Sequence, residues 1–318
     1  MKRNIEFTEA QKIGVLRGLI TVAFADGDLS DLETNFIESF GGLMLRCETN
    51  LRLLEPINPV ELASLFPRVE EKRWVFNYCI LVALADGVVN AVTVETLKQF
   101  RDLFVFDSAE FEAFLDIHNQ NTRSLTRALT KWSYSGHAKR RSMRIHPLDF
   151  IRNRLLFRLR VENRALVEKY RALGSYKDGS LGKAFYDFVL TNDLGFPGDP
   201  ESLSEYIVFH DLSHVLGEFG ITPEEEVELS GFMAGYQSYN PFFTILTAIC
   251  LFHLGMPTQG SDRARIQTMK WRPDAFFREM LRGSKCRVDL SDGWDHWPYM
   301  EKPLEQVRKE LNIAPRFA

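Results

Sequence analysis

The spacing of apolar residues in the first part of the chain is that of α-helices. Between residues 8 and 26, apolar side chains recur three and four positions apart, at Ile13, Leu16, Leu19, Ile20 and Ala23. This segment stops at Ala25-Asp26-Gly27, and Ser30 with Glu33 three residues later has the form of a helix start. The pattern predicts two helices joined by a short turn.

The same pattern returns further along the chain. Residues 75–84 are apolar, Ala85-Asp86-Gly87 interrupts them, and Asn90 is placed to cap a helix that runs to Phe104. We interpret this as an internal repeat of helix, Ala-Asp-Gly turn and helix. Asp26 and Asp86 are interpreted first as turn and capping residues, with metal ligation as the alternative. A calcium loop of the EF-hand type is excluded, because the twelfth position counted from Asp26 is Ile37 rather than glutamate.

Helical spacing continues through the second half of the chain. Helices are predicted at residues 183–190, from Glu205 to a break near Gly217 or Gly220, at 227–239 and at 242–256. The last of them is apolar nearly all round, which indicates a core helix first and the wall of a hydrophobic pocket second. His253 within it is interpreted as a core histidine whose hydrogen bonds are satisfied. The sequence therefore predicts an all-α fold.

Charge divides the chain into three segments. Residues 131–170 carry eleven Lys and Arg against three Asp and Glu, whereas the segments on either side are acidic. A chain of 318 residues is long for a single core and favours two domains. We expect a helical bundle at residues 1–125, a basic linker at 126–145, and a second helical domain with a metal site and a hydrophobic pocket at 146–318.

Composition indicates a globular protein of a reducing compartment. Charged residues make up 26% of the chain and hydrophobic residues 45%. No signal-peptide core is present at the start, and no run reaches the ~18 apolar residues of a spanning helix. The four cysteines form no CxxC pair and are interpreted as packing thiols. We expect a cytoplasmic protein, and a peripheral position on the inner membrane face or a homo-oligomer is compatible with the sequence.

The candidate chemistry lies at His210, Asp211, His214 and Glu226. Two histidines four residues apart on a helix present both imidazoles on one face. Residues 222–225, Thr-Pro-Glu-Glu, predict the start of the next helix with a capping box, so that Glu226 lies in its first turn and can fold back toward the histidines. Imidazoles and carboxylates with room for water are the ligands of a catalytic Zn²⁺ or another divalent ion.

The alternative is a helix with two ordinary histidines beside a solvated acidic turn. Apolar residues surround the histidines on most sides of the predicted helix: Tyr206, Ile207, Phe209, Leu212, Val215 and Leu216. Burial of the histidines and of Asp211 would leave polar groups in need of partners, which a metal ion would supply. The sequence therefore favours the metal site.

The basic segment has two leading interpretations. From Ile151 to Arg171 apolar residues recur near helical spacing with arginines on the flanks, which is typical of a helix at an anionic lipid surface. The alternative is that the apolar residues pack on the domain core and the arginines pair with the acidic segments. Binding of nucleic acid is disfavoured, because the net charge is −4 and no nucleic-acid motif accompanies the basic residues.

At its paired Ala-Asp-Gly turns, the segment from residue 8 to 120 resembles the TerB-like family. The resemblance implies an all-helical fold, for which divalent metal binding has been proposed. The first repeat has Glu33 seven residues after Asp26, whereas the second has Thr93 at the equivalent position and its glutamate at Glu95. Only half of a paired acidic site is therefore present, and we expect this segment to dock or regulate rather than catalyse.

The second half resembles the Coq-four family of ubiquinone (coenzyme Q) biosynthesis proteins. The resemblance covers residues 145–318 and is carried by His210-Asp211-x-x-His214, eleven intervening residues and Glu226. Gly179-Ser180-Leu181-Gly182 with Phe185 and Phe188, and the ending at residues 302–313, are also similar. Ser213 stands where that family usually has a large aromatic residue.

The resemblance implies a helical domain in which His210, Asp211, His214 and Glu226 hold a zinc-type ion beside a hydrophobic cavity. It implies oxidative decarboxylation at ring carbon one of a polyprenylated hydroxybenzoate, with Glu226 and Asp211 as catalytic carboxylates that shuttle protons. It also implies other quinone-biosynthesis proteins as partners. The alternative is a non-catalytic lipid-binding scaffold that presents quinone precursors to a biosynthetic complex.

Overall fold

The structure is a computed structural model that describes residues 6–104, 107–200, 202, 204–256 and 270–316, with only the backbone for residues 149, 154, 157 and 158. Over these residues the chain forms sixteen α-helices and no β-strand. The prediction of an all-α fold is therefore confirmed.

Seven α-helices lie in the described residues up to Trp132. They are α1 (Glu9–Ala23), α2 (Asp31–Ser39), α3 (Pro59–Leu65), α4 (Val69–Ala83), α5 (Ala91–Phe104), α6 (Ala109–His118) and α7 (Thr122–Trp132). Thr8 caps α1, and Ser30 with Glu33 forms the predicted capping box of α2. A π-helical turn at Phe40–Leu45 continues α2. The helix starts read from the sequence are thus confirmed.

The two Ala-Asp-Gly turns have the geometry that their sequence indicates. Gly27 and Gly87 both have left-handed backbones, with φ of 93° and 81°. Each aspartate accepts a hydrogen bond from the backbone nitrogen two residues later, at 3.3 Å for Asp26 and 2.9 Å for Asp86. Asn90 caps α5 and also donates through Nδ2 to Asp26 Oδ2 at 2.8 Å. The aspartates are turn residues, and Asn90 ties the two repeats together.

Nine further helices follow residue 132. They are α8 (Tyr134–Ile145), α9 (Pro147–Arg158), α10 (Arg164–Arg171), α11 (Leu181–Thr191), α12 (Phe209–Gly217), α13 (Pro223–Tyr236), α14 (Pro241–Ala248), α15 (Pro273–Ser284) and α16 (Leu304–Leu311). Most of the predicted basic linker is thus the helix α8. The predicted amphipathic stretch is divided between α9 and α10.

Three predicted helices differ clearly from the observed ones in their bounds. The helix predicted at 227–239 is α13, which begins at Pro223 and ends at Tyr236. The helix predicted from Glu205 begins at Phe209, because Glu205–Ile207 form a 3₁₀ turn, a common start of an α-helix. The apolar helix predicted at 242–256 is α14 followed by a π-helical turn, Ile249–His253. The predicted helix ends next to Pro257, which lies outside the described residues.

Two apolar cores organise the helices. The first joins α1–α7 to α14, α15 and part of α13, and the second joins α10–α12, the rest of α13 and the C-terminal segment. In the first core Phe277 of α15 packs edge-on against Phe36 and Phe40, with ring centroids 5.1 and 5.5 Å apart. The predicted N-terminal segment therefore shares a core with helices of the second half. The domain boundaries drawn from charge stay a prediction.

The crossing of α13 and α15 depends on two glycines. A Cβ at Gly235 would lie 2.3 Å from the carbonyl oxygen of Met280, and one at Gly283 would lie 1.9 Å from that of Phe232. Only glycine fits at such close approaches of one backbone to another. The contact braces α13, which carries Glu226 in its first turn.

Two expectations about the whole chain can be compared with the structure. The four cysteines are all buried thiols, as their apolar surroundings predicted. Among the described residues, no helix is both long enough and apolar enough to cross a membrane.

Candidate metal centre

The centre is built from α12 and the first turn of α13. Phe209, Leu212 and Leu216 bury the apolar side of α12 in the second core. The helix ends at Gly217, as predicted, because Glu218 adopts a left-handed backbone with φ of 61°. The chain then reverses within a few residues and enters α13. This local geometry brings the start of α13 back over the face of α12.

Thr222 and Pro223 start α13 in the predicted way. Thr222 Oγ1 accepts a hydrogen bond from the backbone nitrogen of Glu225 at 3.3 Å, and Pro223 occupies the first helical position. The other half of the predicted capping box is wrong. Glu225 Oε1 accepts from the backbone nitrogen of Gly220 at 2.9 Å instead of that of Thr222. The tight turn at residues 218–221 places Gly220 nearer to this carboxylate.

Three of the predicted ligands converge. Glu226 Oε1 lies 3.5 Å from His214 Nε2, and Glu226 Oε2 lies 3.7 Å from His210 Nε2. One ligand atom from each residue lies within 4.8 Å of the others. Two ligands at ~2.1 Å from a tetrahedral ion lie about 3.4 Å apart, so these separations suit a shared ion after a small contraction. The expected return of Glu226 toward both histidines is confirmed.

The other nitrogen of each imidazole is already occupied. His214 Nδ1 lies 2.9 Å from the carbonyl oxygen of Gly220 and donates to it, and His210 Nδ1 lies 3.2 Å from Asp211 Oδ1. With the proton held on Nδ1, the lone pair of each Nε2 faces Glu226. Such partners fix the tautomer and orientation of metal-binding histidines. The centre therefore has the second layer of contacts that a metal site requires.

Asp211 is buried beside His210 rather than among the three converging atoms. Its carboxylate contacts Nδ1 of His210, on the side of the ring away from Glu226. In this position it orients His210 and raises the basicity of that imidazole. Its predicted role as a fourth ligand stays a prediction.

The ionisable groups of the centre shift one another's pKa values. Burial alone would lower the pKa of His210, but Tyr134, Asp211 and Glu226 together raise it well above its ordinary value. Burial lowers the pKa of His214. The Glu226 carboxylate raises this pKa in part, and the charge of His210 lowers it further. Burial would raise the pKa of Glu226, but the two histidines lower it. The Glu226 carboxylate therefore attracts positive charge to this centre.

Two aromatic rings cover the imidazoles. The ring of Tyr134 stacks on His210 at 6.2 Å between centroids, and that of Phe188 stacks on His214 at 5.2 Å. Phe188 belongs to the helix predicted at residues 183–190. Tyr134 was missed, because it lies in the predicted linker and no local pattern connects it with the histidines. The two rings restrict access of water to the outer faces of the ligands.

Ser213, which lies between the two histidines in the sequence, is hydrogen-bonded within the second core. Its hydroxyl is fully buried and lies 2.6 Å from the carbonyl oxygen of Phe209, to which it donates. Tyr236 Oη of α13 lies 3.0 Å from the same hydroxyl. The aromatic ring of Tyr236 therefore reaches α12 from the neighbouring helix. A small residue at position 213 leaves room for it.

A cavity of about 410 Å³ lies on the N-terminal side of α12. Its walls come from α8, from residues 205–209 and from residues 290–296, and include Arg141, Ile145, Phe209, Trp294 and His296. Among the residues that the structure describes, none accepts a hydrogen bond from the buried Nε1 of Trp294. The apolar helix α14, our other candidate for a pocket wall, is buried in the first core as predicted. His253 is satisfied as expected, with Nε2 2.9 Å from the carbonyl oxygen of Ala85.

His296 on the cavity wall leads to a prediction about stability. Burial lowers its pKa to about 4, and the charge of Asp295 offsets this only in part. Between about pH 6.5 and 4 the unfolded chain binds a proton that the folded protein does not bind. The free energy of unfolding should therefore fall as the pH drops through this window, by up to about 3 kcal/mol.

Urea unfolding of the wild type and of His296→Gln across this pH range measures the effect. Glutamine keeps an acceptor for the hydroxyl of Tyr170, which lies 3.1 Å from His296 Nε2. The variant should lose this part of the pH dependence. An equal fall in both proteins would contradict the assignment to His296.

The C-terminal segment reaches the centre through ion pairs that the sequence did not indicate. Arg316 Nη1 lies 2.8 Å from Glu225 Oε1, and Arg316 also pairs with Glu228. Glu225 holds the backbone nitrogen of Gly220, whose carbonyl oxygen accepts from His214. A chain of contacts thus runs from Arg316 to a candidate ligand.

Comparison with known proteins identified no relative of this chain. No family model, curated protein or solved structure matches this chain.

Proposed function

We propose that His210, His214 and Glu226 bind a divalent ion, with Zn²⁺ as the first candidate. The observation that carries this proposal is the convergence of both Nε2 atoms and the Glu226 carboxylate, with each Nδ1 held by a second partner. Two imidazoles and one carboxylate are the donor set of catalytic zinc sites with an open position. This donor set supports the proposal of a divalent ion, and zinc is the first candidate by its usual ligands.

We further propose that the centre acts on a polyprenylated hydroxybenzoate. In the reaction the bond between ring carbon one and the carboxyl carbon breaks with release of CO₂. Water supplies the hydroxyl group that takes the vacated position. Two electrons and two protons pass to dioxygen, which becomes hydrogen peroxide, or to an oxidising partner protein. When bound, the divalent ion supplies Lewis acidity for the carboxylate and the neighbouring ring oxygen. This proposal rests on the resemblance of the motif and on the donor set.

The residues of the chain have separate tasks in this proposal. Glu226 supplies an anionic carboxylate that can accept the proton of the ring hydroxyl group. Asp211 holds the proton on Nδ1 of His210 and so keeps that ring oriented. Phe188 and Tyr134 cover the imidazoles and limit the water that reaches them. The centre is thus arranged for proton transfer beside a bound anion.

The cavity is the proposed place for part of the substrate. Phe209, which lines it, directly precedes His210, and Tyr134 packs edge-on against Phe209 at 5.2 Å. The mixture of apolar, aromatic and polar side chains on its walls suits an aromatic ring that carries oxygen substituents. Other quinone-biosynthesis proteins remain proposed partners, and a cytoplasmic location beside the inner membrane face remains the proposed one.

Turnover separates an enzyme from a scaffold. Metal-loaded protein, a polyprenylated hydroxybenzoate and dioxygen should yield CO₂ and the hydroxylated ring, measured by isotope release and mass spectrometry. Asp211→Asn, assayed at metal concentrations that load the site, should slow the reaction by about 10–100-fold while the ion stays bound, because Asp211 orients His210. Glu112→Gln, which changes an exposed carboxylate of α6 outside the centre and the cavity, is the control. No turnover by the loaded wild type would contradict the enzyme and favour the scaffold.

A further inference from the structure

A cluster of exposed apolar side chains covers the end of α8, all of α9 and the residues that follow. Among the described residues, sixteen large apolar side chains are exposed, and seven of them lie within residues 143–161. They are Met143, Ile145, Leu148, Ile151, Leu155, Leu159 and Val161. Such a concentration in nineteen residues marks an interaction site rather than the scattered exposure of an ordinary surface. We call it the 143–161 surface.

The helix α9 directs these side chains outward. Leu148, Ile151 and Leu155 are 82%, 61% and 55% exposed and lie on one face at intervals of three and four residues. Phe150 is buried and packs against Tyr206 at 6.2 Å between ring centroids. The helix is therefore anchored by Phe150 while its apolar stripe faces solvent. Of the stripe predicted from the sequence, Ile151, Leu155 and Leu159 are exposed, whereas Leu166 packs against the second core.

The charge of the surface is positive. Arg144, Arg152 and Arg160 are exposed among the apolar residues. The sequence from 143 to 161 contains one acidic residue, Asp149, against five arginines. The whole chain has a net charge of −4, so this positive region stands out from the rest. Exposed aliphatic side chains flanked by arginines are the features of a helix that lies in the interface of an anionic bilayer.

We propose that the 143–161 surface docks on a bilayer of anionic lipids. The aliphatic side chains enter the boundary between headgroups and acyl chains, and the arginines contact the lipid phosphates. A second copy of the chain fits this surface less well, because a two-fold interface would place the same positive charges opposite each other. The proposal goes beyond the metal centre and does not depend on it.

Docking in this orientation brings the cavity to the lipid. Ile145 and the exposed His146 belong to the 143–161 surface and also line the cavity. The mouth of the cavity therefore lies at the edge of the docked surface. A ligand with an apolar tail can pass from the bilayer into the cavity without a full exposure of that tail to water.

The test is co-sedimentation of the full chain with phosphatidylcholine vesicles that contain about 30% phosphatidylglycerol. The wild type should bind these vesicles and bind pure phosphatidylcholine vesicles far less. The triple variant Leu148→Ser, Ile151→Ser, Leu155→Ser should bind at least about a hundredfold less, because it removes the buried apolar area. The matched control Leu53→Ser, Val60→Ser changes side chains of similar exposure in the N-terminal segment and should bind as the wild type does.

A second variant tests the contribution of the arginines to vesicle binding separately from that of the apolar side chains. Arg144→Glu, Arg152→Glu, Arg160→Glu should weaken binding at low salt by at least about a hundredfold. Lys177→Glu, Lys285→Glu, Lys309→Glu alters the net charge equally at exposed positions elsewhere and should leave most of the binding intact. Circular dichroism of each variant should show wild-type helix content.

Three results would overturn the proposal. The first is equal binding of the wild type to neutral and anionic vesicles, or binding to neither. The second is an equal loss in the control variants. The third is a dimer in sedimentation that disappears in the serine triple variant, since a second copy would then cover the surface.

Discussion

Substitution of His214 by alanine should abolish binding of the proposed divalent ion. His214 is 2% exposed, and its Nε2 and the Glu226 carboxylate lie on the same side of the proposed ion. Loss of one of three protein ligands should lower affinity by more than the about 10–100-fold that loss of a second-layer partner costs. Glu226→Gln and His210→Ala should have effects of the same size. Elemental analysis of protein purified without chelator, and titration with Zn²⁺, measure them.

Asp211→Asn provides the internal comparison. If Asp211 acts through Nδ1 of His210, this variant should keep the ion and lose only about 10–100-fold in affinity. A loss as large as that of His214→Ala would show instead that Asp211 is a fourth ligand. His146→Ala, outside the centre, should bind as the wild type does. A wild type without stoichiometric metal, or full occupancy in every ligand variant, would contradict the proposed centre.

Replacement of Arg316 by methionine should lower the free energy of unfolding by about 3 kcal/mol. The side chain of Arg316 is 6% exposed and pairs with Glu225 and with Glu228, whose side chain is also 6% exposed. Methionine fills a similar volume but leaves two carboxylates without this cation. Arg272 still pairs with Glu228, so the loss lies at the low end of what a broken buried pair costs. Urea unfolding at neutral pH measures it.

An exposed ion pair is the matched control for this variant. Arg278 and Asp274 are separated by 3.6 Å, and their side chains are 68% and 41% exposed. Arg278→Met should therefore change stability by less than about 1 kcal/mol. Equal losses in the two variants would show that burial does not strengthen the Arg316 pairs.

The same substitution should also reach the metal centre. Without Arg316, Glu225 holds Gly220 less firmly, and the carbonyl oxygen of Gly220 orients His214. We expect the affinity for Zn²⁺ to fall by up to about tenfold at a temperature where the variant is folded. Arg316→Lys, which keeps the charge, should recover part of it. An unchanged affinity in Arg316→Met would limit the role of Arg316 to stability.

Local patterns in the sequence determined most of the helices and their starts. Apolar spacing predicted the helices around the Ala-Asp-Gly turns, and Ser30, Asn90 and Thr222 cap helices as predicted. These features depend on interactions within four residues, so the local sequence is sufficient to predict them. The same reason applies to the common face of His210 and His214.

The position of Glu226 beside α12 could also be predicted from the local sequence. Only a short turn separates it from α12, and a capped helix start determines its direction relative to that helix. The bounds of helices were predicted less well, because π-helical and 3₁₀ turns replace regular helix near residues 205 and 249. Small differences in hydrogen bonding decide between these forms, and the apolar pattern does not encode them.

Only the tertiary structure decided which distant residues surround the centre and which surfaces remain exposed. Tyr134 reaches His210 from α8, and Arg316 reaches Glu225 from the C-terminal segment. The stripe of α9 could pack on a core or face solvent with the same helical period, and its direction depends on where Phe150 finds a partner. The sharing of one core by both halves is likewise set by packing among Phe36, Phe40 and Phe277. Such contacts follow from the packing of whole helices, and the periodicity of one helix does not specify its neighbours.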